Sequence, residues 1–113
     1  MVAPTSPLID GQNDLPSLIE ESFHGQLSAL ELRANIALYP PPERVVYPDG
    51  APSLMTDILR LRKGGVGGQF WSVWVSPSLH DARTMWLAIE QMDLVRQMPL
   101  RYPRALPDSV CFT

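Results

Sequence analysis

Gln69-Phe70-Trp71-Ser72-Val73-Trp74-Val75 is an unusually dense run of aromatic and β-branched residues, nearly continuous in its apolarity. A strand with one wet face alternates apolar and polar residues. A run like this one suits a parallel strand covered on both faces. A second, shorter strand is predicted at Pro7-Leu8-Ile9-Asp10, where an apolar entry runs into the turn residue Gly11. The two are far apart in sequence, as parallel neighbours must be, because a parallel pair needs a crossover connection.

Working outward from these strands, the intervening pattern is helical. Pro16 fits the first turn of a helix, where its missing N–H has no intrahelical partner, and Leu18, Ile19, Phe23, Leu27 and Leu30 recur at helical spacing. This predicts a helix persisting to about Ala34, with Gly25 as a candidate break. Residues 39–52 carry five prolines, Pro40, Pro41, Pro42, Pro48 and Pro52, a density that forbids a regular helix or central strand. Ser53 is expected to cap a short helix that turns Leu54, Ile58 and Leu61 inward. That helix sets Arg60, Arg62 and Lys63 at its negative end and stops at a left-handed Gly64. Beyond the long strand, Ser78-Leu79-His80-Asp81 resembles a capping box. Ala82, Met85, Ile89, Met92 and Val95 then share a helical face until Pro99. The order strand, helix, strand, helix predicts an α/β architecture with right-handed parallel crossovers.

Composition narrows the function classes. The chain has 113 residues and a net charge of −3, with no basic field and no interleaving of aromatics with Lys or Arg, so nucleic acid is not an expected partner. A single cysteine, Cys111, excludes an internal disulfide, and no CxxC or CxxH spacing offers a structural zinc site. Residues 1–6 lack the features of a signal peptide, and no apolar run approaches the roughly 18 residues of a membrane span, so the default compartment is cytoplasmic. A full barrel of eight strands and eight helices needs about 200 residues or more. The strand rich in aromatics has few elements to cover it, and an exposed apolar edge with self-association through it is the expected consequence.

Two clusters invite a chemical reading. Gly64-Gly65-Val66-Gly67-Gly68 has the glycine density of a phosphate loop, but such loops follow a strand and open a helix, whereas these glycines follow a helix and precede a strand. A tight helix-to-strand connection is the better reading. At the end of the first strand, Gln12 and Asp14 are two residues apart, so on an extended backbone both side chains point the same way. At the carboxyl end of a parallel strand they would face a barrel mouth, where metal or substrate binds. A polar turn capping the helix at Pro16 explains the same residues. His24 and His80 are read as solvent-exposed, Glu20-Glu21 as a solvated helix face, and Trp71 and Trp74 as core residues of a central strand.

The stretch from Leu8 to Pro16, L-I-D-G-Q-N-D-L-P, resembles the opening I-D-G-H-N-D-L-P of the membrane dipeptidase family (peptidase M19). Residues 57–73, D-I-L-R-L-R-K-G-G-V-G-G-Q-F-W-S-V, resemble that family's second-strand signature, and Glu90-Gln91-Met92-Asp93-Leu94-Val95 its next helix. The likeness covers residues 7–103 and gives way to a divergent tail at 104–113. It implies a (β/α)8 TIM barrel, a metallo-dependent hydrolase, of which residues 1–113 form a single incomplete domain holding the first two βα units. It also implies two zinc ions bridged by a carboxylate and a dipeptide as substrate, hydrolysed by a metal-held hydroxide. Asp14 matches the aspartate of the family's H-x-D metal ligands. Gln12 stands at the histidine position, where a neutral amide oxygen is a poorer zinc ligand than imidazole. The bridging glutamate and two later histidines have no counterpart in the matched region. The resemblance therefore implies a dipeptidase whose chemistry this stretch alone does not complete, or a non-catalytic remnant or interaction module that keeps the fold elements.

Overall fold

A computed structural model describes residues 6–36 and 54–106. Two strands, β1 (Leu8–Asn13) and β2 (Val66–Trp71), pair in parallel with Leu8 opposite Val66, Ile9 opposite Gly68, Asp10 opposite Gln69 and Asn13 opposite Trp71. Helices α1 (Leu15–Phe23), α2 (Ile58–Lys63) and α3 (Ala82–Arg101) complete the described elements, with a 3₁₀ turn at Leu27–Ala29. The expected α/β order and parallel pairing are observed, but several boundaries move.

Both strands start or end differently from the sequence expectation. β1 continues through Gly11 to Asn13, so the glycine lies within the strand rather than in a turn, at an irregularity of register between the Asp10–Gln69 and Asn13–Trp71 pairs. β2 begins at Val66 and ends at Trp71, four residues short of Val75, because the chain behind it bends away toward α3. The glycine cluster therefore divides. Gly64 and Gly65 form the turn, with the left-handed conformation at Gly65 (φ 71) rather than at Gly64, whose φ is −77. Gly67 is the extra residue of β2 between the Leu8–Val66 and Ile9–Gly68 pairs, where an added Cβ would stand 2.5 Å from Pro7 Cβ, so a side chain there would force the chain to shift. The first two glycines thus serve the turn from helix to strand, and Gly67 and Gly68, within β2, serve its close approach to Pro7 and Ile9.

The helices are stopped and started by specific side chains. α1 ends at Phe23, not Ala34, because His24 (φ 52) and Gly25 (φ 70) turn left-handed in succession. Ser53, the expected cap of α2, lies outside the described residues, as do the prolines of residues 39–52 and Cys111. The observed cap is Asp57, whose carboxylate accepts from the Arg60 N–H at 2.8 Å, and Leu54 is buried ahead of the helix rather than within it. Likewise Asp81, not Ser78, caps α3 by accepting from the Arg83 N–H at 2.9 Å. Pro99 does not end α3. It sits buried near the C-terminus, and the helix continues to Arg101 despite the lost hydrogen bond.

The core lies between α1, the segment after it and the C-terminal half of α3: Leu15, Ile19, Leu27, Leu30, Leu32, Ile36, Leu54, Ile58, Leu94, Met98 and Tyr102 form one cluster. The Tyr102 hydroxyl accepts from the buried Leu32 N–H at 3.1 Å and ties the chain after α3 into it. The sheet stands at the margin of this core. Trp71 packs against it, as expected, but Trp74 is 46% exposed, and Phe70 in β2 is 65% exposed. The N-terminal half of α3 is also bare, with Met85 and Ile89 exposed on the face expected to be buried. Among the described residues no element covers them, so an apolar strand and helix face remain open to solvent.

Candidate functional site

The carboxyl ends of β1 and β2 lie together. The Asn13 carbonyl accepts from the Ser72 N–H at 2.9 Å, extending the strand contact by one bond beyond the ladder. The Asn13 side chain makes two further bonds. Its Oδ1 accepts from the Leu15 N–H at 3.0 Å, covering a free donor at the start of α1, and its Nδ2 donates to Thr56 Oγ1 at 3.0 Å. One asparagine thus joins the end of β1 to the start of α1 and to the chain entering α2.

Asp14 follows immediately. It occupies the N-cap position of α1 with φ −92 and ψ 16, a non-extended conformation, and its carboxylate makes no capping bond. Its carbonyl accepts from the Leu18 N–H at 3.1 Å and from Ser17 Oγ at 2.9 Å. Gln12 remains on the strand. The alternation that would set the two side chains on one strand face is therefore broken between them, and both are exposed. The capping role weighed for this turn belongs to Asn13, which leaves the Asp14 carboxylate free of the helix backbone.

A pair that the sequence reading did not single out lies beneath them. Gln69 Nε2 donates to Asp10 Oδ2 at 2.8 Å across the ladder, where Asp10 and Gln69 are in register. That bond, helped by the Gln12 N–H, holds the Asp10 carboxyl below its ordinary pKa. The in-register placement of two polar residues in an apolar strand pair was the only sequence signal, and it needed the register to be known.

The donor set at this end is one carboxylate and one amide. Catalytic zinc takes three protein ligands, so Gln12 and Asp14 do not make a zinc site by themselves. Among the described residues no three His, Cys, Asp or Glu side chains converge where a metal ion could be held. His24 is the left-handed residue that ends α1, and His80 is exposed and precedes the Asp81 cap, outside the helix where the sequence had put it. A cleft of about 390 Å³ lies elsewhere, lined by Gly25 to Ser28 after α1 and by Gln97, Leu100 and Arg101 of α3, and includes neither Gln12 nor Asp14.

Parallel strands joined through helices, with polar residues gathered at their carboxyl ends, define an α/β protein of the strand–helix–strand kind. The sequence matches the family model for membrane dipeptidase (peptidase family M19) over residues 1–109, and the chain belongs to that family. It is 39% identical to Dipeptidase 3 of Mus musculus over 97 residues, which is 86% of this chain and 16% of that protein. It is 38% identical to an uncharacterized dipeptidase of Schizosaccharomyces pombe over 110 residues, 87% of this chain and 23% of the relative. Dipeptidase ataJ of Aspergillus terreus is 30% identical over 105 residues, 86% of this chain and 22% of that protein. The chain thus spans between about a sixth and a quarter of the length of these curated relatives.

Proposed function

We propose that this chain supplies the first two strand–helix units of a zinc-dependent dipeptidase built on a (β/α)8 barrel, with Asp14 as a metal ligand and a dipeptide as substrate. The observation that carries the reading is the parallel pairing of β1 with β2, which brings Asn13, Asp14 and Ser72 to one carboxyl end, the end at which barrel enzymes do their chemistry. Zinc bound there would supply a Lewis acid and a hydroxide at neutral pH. The contribution of this chain would be the Asp14 carboxylate, left free because Asn13 caps α1 in its place.

Taken by itself, the 113-residue polypeptide is expected to have no dipeptidase activity, since one strong ligand is too few to fix a catalytic zinc. Gln12→His would place an imidazole at the family's histidine position and is expected to raise zinc affinity without giving turnover. The check is zinc analysis together with dipeptide hydrolysis by the chain and by this variant, with a chelator control. Chelator-sensitive hydrolysis by the unaltered chain that disappears on Asp14→Ala would overturn the expected inactivity. The second reading, a non-catalytic interaction module, is favoured by the amide of Gln12 at the histidine position. It expects Gln12→His to leave zinc affinity unchanged.

A further inference from the structure

Gln91 is a polar residue in the buried half of α3, only 2% exposed, and its carboxamide oxygen and nitrogen both bond the backbone of one residue of a different segment. Its Oε1 accepts from the Trp74 N–H at 2.9 Å and its Nε2 donates to the Trp74 carbonyl at 2.7 Å. An amide bonded to both polar groups of one residue reproduces what a neighbouring strand would offer. Trp74 needs such a partner, because β2 ends at Trp71 and its last strand-like bond is that from Ser72 to Asn13. Beyond Ser72 the described chain has no ladder, and Val73 and Trp74 expose their side chains to solvent, so contact with the core does not hold the segment.

We propose that Gln91 is a positioning residue. Its carboxamide acts as a one-residue substitute strand that fixes residues 72–75 beside the carboxyl end of β1, where Asp14 stands. The purpose of the anchor rests on the dipeptidase reading; the anchor itself does not. With it in place the segment leaves the sheet at a set angle, joined to β1 through Asn13 at one end and to α3 through Gln91 at the other. Without it, the partly buried N–H and C=O of Trp74 would lose their partner and the segment would sample other paths.

The test is amide hydrogen exchange at Trp74, read as a protection factor by NMR on the whole chain, for the wild type, Gln91→Met and Gln91→Glu. Methionine fills a similar volume but forms neither bond, so protection at Trp74 should fall about tenfold relative to the core amides of α3. Glutamate separates anchoring from packing. Protonated near pH 4, its carboxyl can still accept from the Trp74 N–H and donate to the carbonyl, so protection should stay near wild type. Ionised near pH 7, it sets a charged oxygen against the Trp74 carbonyl, and protection should drop; the wild type, measured at both pH values, provides the control. Unchanged Trp74 protection in Gln91→Met, or protection in Gln91→Glu that does not follow pH, would overturn the proposal. If Gln91→Met does not fold, the glutamate variant near pH 4 still decides it. The readout requires neither metal nor substrate, so failure of the hydrolysis assay and failure of the anchor are separate results.

Discussion

At the level of single residues, the structure is held by buried polar groups whose partners are distant in sequence. Asp57 is fully buried, caps α2 through the Arg60 N–H, accepts from the Ile36 N–H at 3.4 Å and is ion-paired with Arg60. Arg60 in turn donates to Asn35 Oδ1 at 2.7 Å, so one carboxylate ties α2 to the chain after the 3₁₀ turn. Asp57→Ala removes a cap and leaves a buried N–H and a guanidinium without their acceptor, which should cost about 2–3 kcal/mol, read as a lower urea midpoint at unchanged m-value. Asp57→Asn keeps the capping oxygen and should lose about half as much. Ser53 was the sequence candidate for this cap because serine is a favoured capping residue. Asp57 is equally favoured, and nothing local ranked the two. Gln12 and Asp14 were legible as a pair at the end of a strand. Asp14's departure from the strand was not, because it depends on Asn13 finding Thr56, a partner 43 positions away.

At the level of elements, α1 and α3 meet across a pair of like charges. Glu20 on α1 was read as a solvated face residue, yet its Oε2 is closed off from water without a hydrogen-bond partner, packed against Gly25. Loss of hydration, then the charge of Glu90 on α3 and a carboxyl–carboxyl contact with it, push Glu20 up to about 6 from 4.5. The folded state therefore holds this proton more tightly than the unfolded chain does. The stabilisation is fully present below about pH 4.5 and is lost as pH rises through about 6. Glu20 is only half-buried, so screening by water reduces the effect to about 1 kcal/mol. Glu31, held down to about 2 chiefly by its hydrogen bond from Arg33, acts in the opposite sense and only below pH 4.5, which leaves the interval from 4.5 to 6 to Glu20. Thermal melts across that interval should show the wild type losing stability with rising pH, and Glu20→Gln should flatten the slope. A wild-type melting temperature that rises over the same range would contradict the assignment. Helix periodicity found all three helices, but their ends were legible only where a residue has one dominant local role, as at Gly25. Pro99 was misjudged because proline in a last turn forfeits a single bond, which the buried packing of α3 tolerates.

At the level of the molecule, the parallel pairing of β1 and β2 was legible from the strand–helix order, because alternating strands and helices leave few other topologies. The shortage of cover for those strands was legible too, since an apolar run needs both faces buried and the sequence offers few elements to do it; that the N-terminal half of α3 would lie bare as well was not. Leu8 and Ile9 on β1, Phe70 on β2 and Met85, Trp86 and Ile89 on α3 are all more than half exposed. Each strand, moreover, has only one ladder partner among the described residues. Exposed strand edges beside uncovered apolar side chains recruit further chains, because each new contact removes apolar area from water at roughly 25 cal/mol per Å² and satisfies backbone groups as well. The isolated chain should therefore self-associate as its concentration rises. Sedimentation velocity over a hundredfold concentration range should give a rising weight-average mass, and Met85→Lys combined with Ile89→Lys should move the onset to higher concentration without lowering stability, since both side chains lie outside the core cluster. Charge on that face opposes apposition of two copies while leaving the fold intact. A monodisperse monomer with a cooperative melt at high concentration would show that these surfaces are covered from within the chain.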